Sequence, residues 1–348
     1  MQPKRILICS YFDRKKLFGR YYSLPFKLMN GFIRAGHNVI PFSDRDHARE
    51  STIWATQKRG RKRMAKKLLE LCETYRPHLV VFAHSDLLED DTFISLREKV
   101  PGVRLADCSV DAIFRQQTMA YFVRRSIHMD ACFITTGDRH RLRALGLPQG
   151  RTYFIPNPVD ASIETAQVFD VPATQLSYDG QFLGTGIGKR EEQLTFLKKT
   201  LPSGYRFNTG GRAFNAKWQT STSFLNALTQ AAVSPNLPLD DTDSESMVYL
   251  YSSDRVGQLL GQGVTTISPA KAGLSDLYED GIVEYDSREH LASLMEELYG
   301  DDAKRRKIGE TGHRIAHERT NERIVAEFIF DATFGNNLDR FSWPSKSA

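Results

Sequence analysis

Along the first half of the chain, short apolar runs alternate with stretches of helical spacing. Arg5–Ser10 (RILICS) shows little alternation, the pattern of a strand covered on both faces. Leu24–Arg34 spaces its apolar residues as a helix does, stops at Ala35-Gly36, and leads into a strand over Asn38–Phe42. A helix over Met64–Tyr75, stopped near Pro77, feeds the strand His78–Ala83. Arg104–Ser109 and Ala131–Thr136 predict two further strands, with helices between them. Strands and helices alternating at this interval predict parallel βαβ units and an open doubly wound sheet. Ligands of such sheets lie beyond the carboxyl ends of the strands, which singles out the loops after Ser10, Ala83, Ser109 and Thr136.

Arg151–Asp160 (RTYFIPNPVD) reads as a strand closed by two prolines, a composition suited to a linker. The alternation then restarts with a strand over Leu176–Leu183, a helix over Arg190–Lys199 and a strand over Tyr205–Asn208. A variable stretch runs to Asp243. After it come a helix over Asp254–Leu260, a strand over Val264–Ser268, a short helix over Leu274–Tyr278, a strand over Ile282–Tyr285 and two long terminal helices. The fold class expected is α/β, with two Rossmann-like doubly wound domains over 1–157 and 158–320 and a terminal helix and tail over 321–348.

Composition agrees with two cores. A chain of 348 residues exceeds one ordinary domain of roughly 150, and 41% apolar with 26% charged content belongs to packed chains, not disordered ones. No apolar run reaches the ~20 residues that span a bilayer, and MQPKRILICSYF has no small-residue cleavage site, so no secretory leader is expected. Cys9, Cys72, Cys108 and Cys132 are scattered, which argues against zinc and disulfides and for a reducing cytoplasm. The net charge of +5 is too mild to imply nucleic acid but suits an anionic substrate or membrane surface. The densest charge feature is Lys58, Arg59, Arg61, Lys62, Arg63, Lys66 and Lys67, with Arg124-Arg125 as a second pair. Such a patch contributes on the order of 1 kcal/mol per residue near an anionic membrane. No aromatics interleave with it, which disfavours nucleic acid.

Several loops carry candidate chemistry. Gly184, Gly186 and Gly188 precede Lys189 and Arg190, a glycine-rich turn with two cations where a helix N-terminus could receive phosphate. Ser252-Ser253-Asp254 forms an N-cap cluster and puts Arg255 in the first helical turn, where the helix dipole disfavours a cation unless an anion is bound. Lys271 and Gly273 follow the strand VTTIS. In the first half, His84 and Asp111 stand at adjacent strand ends as candidates for acid/base work, with Asp86 placed to orient His84. Asp13 and Arg14 lie in the first long loop as acceptor-recognition candidates. Asp240, Asp241 and Asp243 imitate a metal-binding DxD but sit in a polar stretch, and no other carboxylate cluster suggests a hard metal, so no metal site is expected. The glycine spacing 184-186-188 is not GxGxxG, which disfavours NAD.

The second half resembles the carboxyl-terminal domain of GT-B glycosyltransferases, in the group 1 (family-4-like) and spore-maturation-protein-like branch. The residues that carry the resemblance are YSSDRVGQLLGQG over 251–263, VTTIS, AGLSDLYEDG over 272–281, and FLGTGIGKRE over 182–191 as a first phosphate loop. FIPNPVD resembles the interdomain crossing. The resemblance implies two domains facing across a cleft, with a nucleotide-sugar donor held by Gly184, Gly186, Lys189, Arg190, Ser253, Arg255, Gln258, Lys271 and Gly273. It implies metal-independent transfer of a sugar to a hydroxyl of a saccharide or lipid-linked acceptor, in polysaccharide or lipopolysaccharide assembly, with no cofactor beyond the co-substrate. Gln258 departs from the pattern, because the family carries a ribose-binding glutamate there. Two alternatives follow: a sugar-nucleotide epimerase of the same fold, or a degenerate relative acting as a binding module.

Overall fold

The computed structural model describes residues 2–51, 56–185, 188–211, 221–237 and 248–343. The chain divides into two compact units, one made of residues 1–158 with 322–348, the other of 159–321.

The first unit contains β1 (Arg5–Ser10), α1 (Leu24–Arg34), β2 (Asn38–Ser43), α2 (Asp44–Glu50), α3 (Gln57–Tyr75), β3 (Leu79–Ala83), α4 (Asp90–Lys99), β4 (Arg104–Ser109), α5 (Gln116–Ser126), β5 (Ala131–Ile134), α6 (Arg139–Ala144) and β6 (Thr152–Phe154). Its strands form one parallel sheet in the order β2-β1-β3-β4-β5-β6. The chain reverses direction across the sheet between β1 and β3, and Ile6–Cys9, Leu79–Ala83 and Leu105 lie in its fully buried core. Register pairs Ala83 with Cys108, so the loops after β3 and β4 emerge side by side.

The second unit contains β7 (Tyr178–Leu183), α7 (Lys189–Thr200), β8 (Phe207–Gly210), α8 (Ser221–Leu228), β9 (Ala231–Pro235), α9 (Asp254–Gly261), β10 (Thr265–Pro269), α10 (Ser275–Tyr278), β11 (Val283–Tyr285), α11 (Arg288–Gly300) and α12 (Asp302–Arg319). Its parallel sheet runs β11-β10-β9-β7-β8, so the topological switch lies between β7 and β9. The last helix, α13 (Glu322–Phe334), belongs to the first unit. There Glu322 pairs with Arg34 on α1, Phe330 stacks on His37 at 4.8 Å, and Phe328 packs against Phe341 and Trp343.

The structure extends or corrects the pattern-based expectations at several points. The helix expected from Met64 begins at Gln57, so most of the basic run is helical. Lysine and arginine are good helix formers, and the apolar count alone hides that turn. Gly60 does not break it. A Cβ there would lie 1.7 Å from the Ala48 carbonyl oxygen, and the glycine lets α3 cross α2 at contact. The stretch read as variable contains α8 and β9, a five-residue strand buried throughout and therefore without alternation. The strand expected over Arg151–Asp160 shortens to Thr152–Phe154, since Pro156 and Pro158 have no N–H to donate. Three helices, not two, close the chain. Asp301 caps the second by accepting from the Lys304 amide at 2.9 Å. Among the described residues no helix is long and apolar enough to cross a membrane.

Candidate functional site

In the second unit, the switch point between β7 and β9 gathers two arginines. Arg190, in the first turn of α7, is buried and donates to the carbonyls of Thr185 at 2.7 Å and Leu237 at 2.6 Å. Arg255, in the first turn of α9, donates to the Leu183 carbonyl at 3.2 Å and lies 3.4 Å from both Asn236 Oδ1 and the Leu237 carbonyl. Both guanidiniums lie against the ring of Phe182, at 5.1 and 4.6 Å from its centroid. Among the described residues no carboxylate comes within ion-pair distance of Arg255. Burial, and after it the like charge of Arg190, pushes the Arg255 pKa down to about 9. At neutral pH the group stays charged in surroundings that favour an anionic partner.

Beside it, Ser253 is the N-cap of α9. Its hydroxyl makes no cap bond, and its Oγ is buried without a hydrogen-bond partner. The first amides of α9 add the partial positive charge of a helix start. Gln258 is buried one turn further on. Lys271 is exposed in the loop after β10, and Gly273 takes φ 56° against the Tyr249 ring.

One donor-site expectation needs correction. The Gly184 amide donates to the Gly210 carbonyl at 3.1 Å, so it is not an anion donor. Its missing side chain instead makes room for Arg255, whose Nη2 would lie 2.7 Å from a Cβ there. Lys189 is exposed at the first position of α7, and Arg190 beside it is buried. Gly186 and the Asp240–Asp243 run lie outside the described residues.

In the first unit, a pocket of about 190 Å³ opens beyond the ends of β3 and β4, lined by Arg45, His84, Asp86, Ser109, Asp111, Tyr121 and Arg125 among others. His84 Nδ1 stands 3.4 Å from Asp111 Oδ2. Burial works to raise the Asp111 pKa. The hydrogen bond and charge of His84, with Arg115 and Arg45, outweigh it and hold the carboxyl below its ordinary value. Asp111 is therefore ionised at neutral pH and suited to orienting a histidine, not to giving up a proton. Asp111 is the carboxylate that stands against the His84 ring, while Asp86, on the same pocket, pairs with Arg45 at 2.9 Å. His84 itself holds φ 54°, a left-handed backbone that turns the chain sharply at the strand end. Beneath it, Arg125 and Asp107 form a buried pair at 2.8 Å. Burial opposes the Arg125 charge, and Asp107 more than restores it. Asp13 is buried and accepts from the Tyr11 hydroxyl at 2.5 Å, and Arg14 pairs with Glu50 at 2.7 Å. Neither lines this pocket.

The sequence reading missed Phe182, Asn236, Arg45 and the Arg125–Asp107 pair. Phe182 was legible as the aromatic just before the glycine turn. Asn236 was hidden with its strand, β9. Among the described residues no group of three or more His, Cys, Asp or Glu side chains is placed to hold a metal ion.

Residues 190–330 match the family model described as glycosyl transferase-like. No curated protein matches the chain in sequence. The fold is GT-B. The chain is similar to sucrose-phosphate synthase from Thermosynechococcus elongatus (TM-score 0.61, 11% identity, 94% of this chain and 98% of that one). HepE from Anabaena, crystallised with UDP and glucose, gives TM-score 0.61 at 10% identity over 95% and 100%. A glycosyltransferase from Rickettsia africae gives TM-score 0.59 at 10% identity over 97% and 100%.

Proposed function

We propose that the chain transfers a glycosyl group from a nucleotide sugar to a hydroxyl of a saccharide or lipid-linked acceptor, in the assembly of a cell-surface polysaccharide or lipopolysaccharide, at the cytoplasmic side of a membrane. The observation that carries the reading is the Arg190–Arg255 pair at the switch point of the second sheet. A nucleotide sugar brings a diphosphate, and two desolvated guanidiniums beside a helix N-terminus offer the electrostatic stabilisation its departure requires. Ser253 donates its hydroxyl to the same group, Gln258 meets the ribose, and Lys271 with the Gly273 turn approaches the sugar. The cations meet the charge of the leaving group, so the proposed transfer needs no metal.

His84 takes the proton of the attacking hydroxyl, with Asp111 holding the ring and balancing the imidazolium that forms. Asp13 and Arg14 stand further out on the acceptor side, their side chains already engaged. The UDP bound by HepE makes UDP the first nucleotide to try. Calorimetry with UDP, GDP and CMP, followed by turnover of the matching sugar donor with and without a saccharide acceptor, tests the reading. Binding of one nucleotide, acceptor-dependent release of it, and a kcat for His84→Gln lower by roughly 10²-fold or more at unchanged nucleotide affinity are expected. Conversion of the donor with no acceptor present would identify an epimerase, and failure to bind any nucleotide would identify a degenerate module.

A further inference from the structure

The pocket in the first unit carries polar groups that the His84–Asp111 pair leaves unused. Ser109, the last residue of β4, is buried against the pocket, and its Oγ has no hydrogen-bond partner. A buried hydroxyl left in that state costs free energy that a ligand hydroxyl would recover. Gln117 and Tyr121 stand one turn apart on the same face of α5, and both line the pocket. Neither side chain makes a hydrogen bond among the described residues. The Tyr121 ring is steadied by Arg124, whose guanidinium lies 5.5 Å from its centroid. Arg124 is itself anchored on the Leu88 carbonyl and on Asp90.

The charges on this pocket are matched. Asp86 meets Arg45 through Oδ1, Asp111 meets His84 and Arg115, and Asp107 meets Arg125. Among the described lining residues no cation is left over for an incoming carboxylate or phosphate. Such a group would shed its water beside the carboxylates of Asp86 and Asp111 for no new partner. A neutral polyol fares differently. Each sugar hydroxyl both donates and accepts, so a carboxylate beside a guanidinium can hold neighbouring hydroxyls without either charge being stranded. The C–H face of a sugar ring packs on the apolar, electron-rich face of an aromatic side chain. At about 190 Å³ the pocket falls below the ~300–1,000 Å³ of sites for drug-sized ligands, which leaves room for a single ring.

We propose that this pocket selects one uncharged hexopyranose ring, the terminal sugar of the acceptor, and discriminates against acidic rings. Tyr121 is the platform on which the ring stacks, Ser109 and Gln117 bond its hydroxyls, and the Arg45–Asp86 pair grips a further edge. Tyr121 is thus a specificity-determining residue, because the plane it imposes on the ring decides which hydroxyl reaches His84. The acceptor role of the ring rests on the transferase reading above. The pocket's preference for a neutral ring rests on its own side chains and holds whether or not the second unit binds a nucleotide.

Saturation-transfer NMR of the full chain tests it, with the methyl pyranosides of glucose, galactose, mannose and N-acetylglucosamine set against methyl glucuronoside. At least one neutral glycoside is expected to bind, and the glucuronoside is not. Tyr121→Ala should weaken the neutral glycoside by about threefold to tenfold, and Tyr121→Phe, which keeps the ring, by less than about twofold. Ser109→Ala should weaken it by about threefold to tenfold while melting holds, since the hydroxyl bonds nothing in the folded chain. Asp86→Asn leaves Arg45 without its carboxylate and should let the glucuronoside bind. If Tyr121→Ala melts lower, that gain decides: its presence supports the proposal and its absence overturns it. Equal binding of the glucuronoside by the unaltered chain, or full binding by Tyr121→Ala, overturns it as well. Calorimetry with UDP, GDP and CMP on the same samples keeps the two readings apart. A bound nucleotide with no bound neutral glycoside overturns this proposal alone. A bound glycoside with no bound nucleotide supports the pocket's preference and overturns the transferase reading. Displacement of the glycoside by UDP-glucose but not by UDP assigns the ring to the donor and overturns its place in the acceptor.

Discussion

The two sheets meet their ligand-facing loops with opposite electrostatics. In the first unit nearly every charge at the strand ends has an opposite partner: Arg45 with Asp86, His84 with Asp111, Arg125 with Asp107. In the second, Arg255 and Arg190 point at carbonyl oxygens and at each other across Phe182. Paired groups hold geometry and move protons. Arg255, which has no carboxylate at ion-pair distance among the described residues, is an arrangement that a ligand anion would complete. The difference teaches that stability and affinity should separate cleanly between the units when single charges are removed.

The largest effect should come from breaking a pair. Asp107→Ala leaves Arg125 charged in the core and is expected to destabilise the first unit by about 3–5 kcal/mol in urea unfolding. A loss under about 0.5 kcal/mol would mean the pair matters little.

Asp44 is the exception that sharpens the comparison, because its Oδ2 is buried without a partner and burial raises its pKa from 3.8 to about 7. A raised carboxyl means that the folded chain keeps a proton the unfolded chain has released. The stability this represents is fully present below about pH 4 and is lost as pH rises through 7. Asp44→Asn should therefore raise stability by roughly 2–4 kcal/mol at pH 8 and by almost nothing at pH 3.5, read from denaturation at both values.

In the second unit, Arg255→Met should weaken nucleotide binding by about 2 kcal/mol, roughly thirtyfold, while the melting temperature stays level or rises. A large fall in melting temperature with intact affinity would assign the arginine to the scaffold. The smallest effect belongs to Ser253→Ala. An N-cap serine replaced by alanine ordinarily costs ~1 kcal/mol of stability. Here the hydroxyl caps nothing, so melting should hold while nucleotide affinity drops by only about threefold to tenfold.

Much of the architecture was legible because parallel strands buried on both faces write themselves as unbroken apolar runs. RILICS and LVVFA are strands with the expected limits or nearly so. What escaped was either polar or short. α2 (DRDHARE) has no apolar stripe to read, and AAVSP is too brief to separate from a turn. At the site, the positions of His84, Asp111 and Arg255 followed from strand ends and caps, but their partners did not. Asp86 is nearest to His84 in sequence, yet the left-handed turn at His84 directs the histidine toward a neighbouring strand end. The crowding at Gly184 by Arg255 likewise brings together residues some seventy positions apart, which no local pattern records.

The return of α13 to the first unit has a consequence for biosynthesis. The seat for this helix, where Arg34 awaits Glu322 and His37 awaits Phe330, is translated early and filled last. While the ribosome makes the whole intervening unit, an apolar trough stays uncovered on the nascent amino-terminal sheet. The enclosed unit, contiguous in sequence, is then able to fold first. Any early stop after residue 321 would strand the protein in that half-closed condition, a ready substrate for chaperones and proteases.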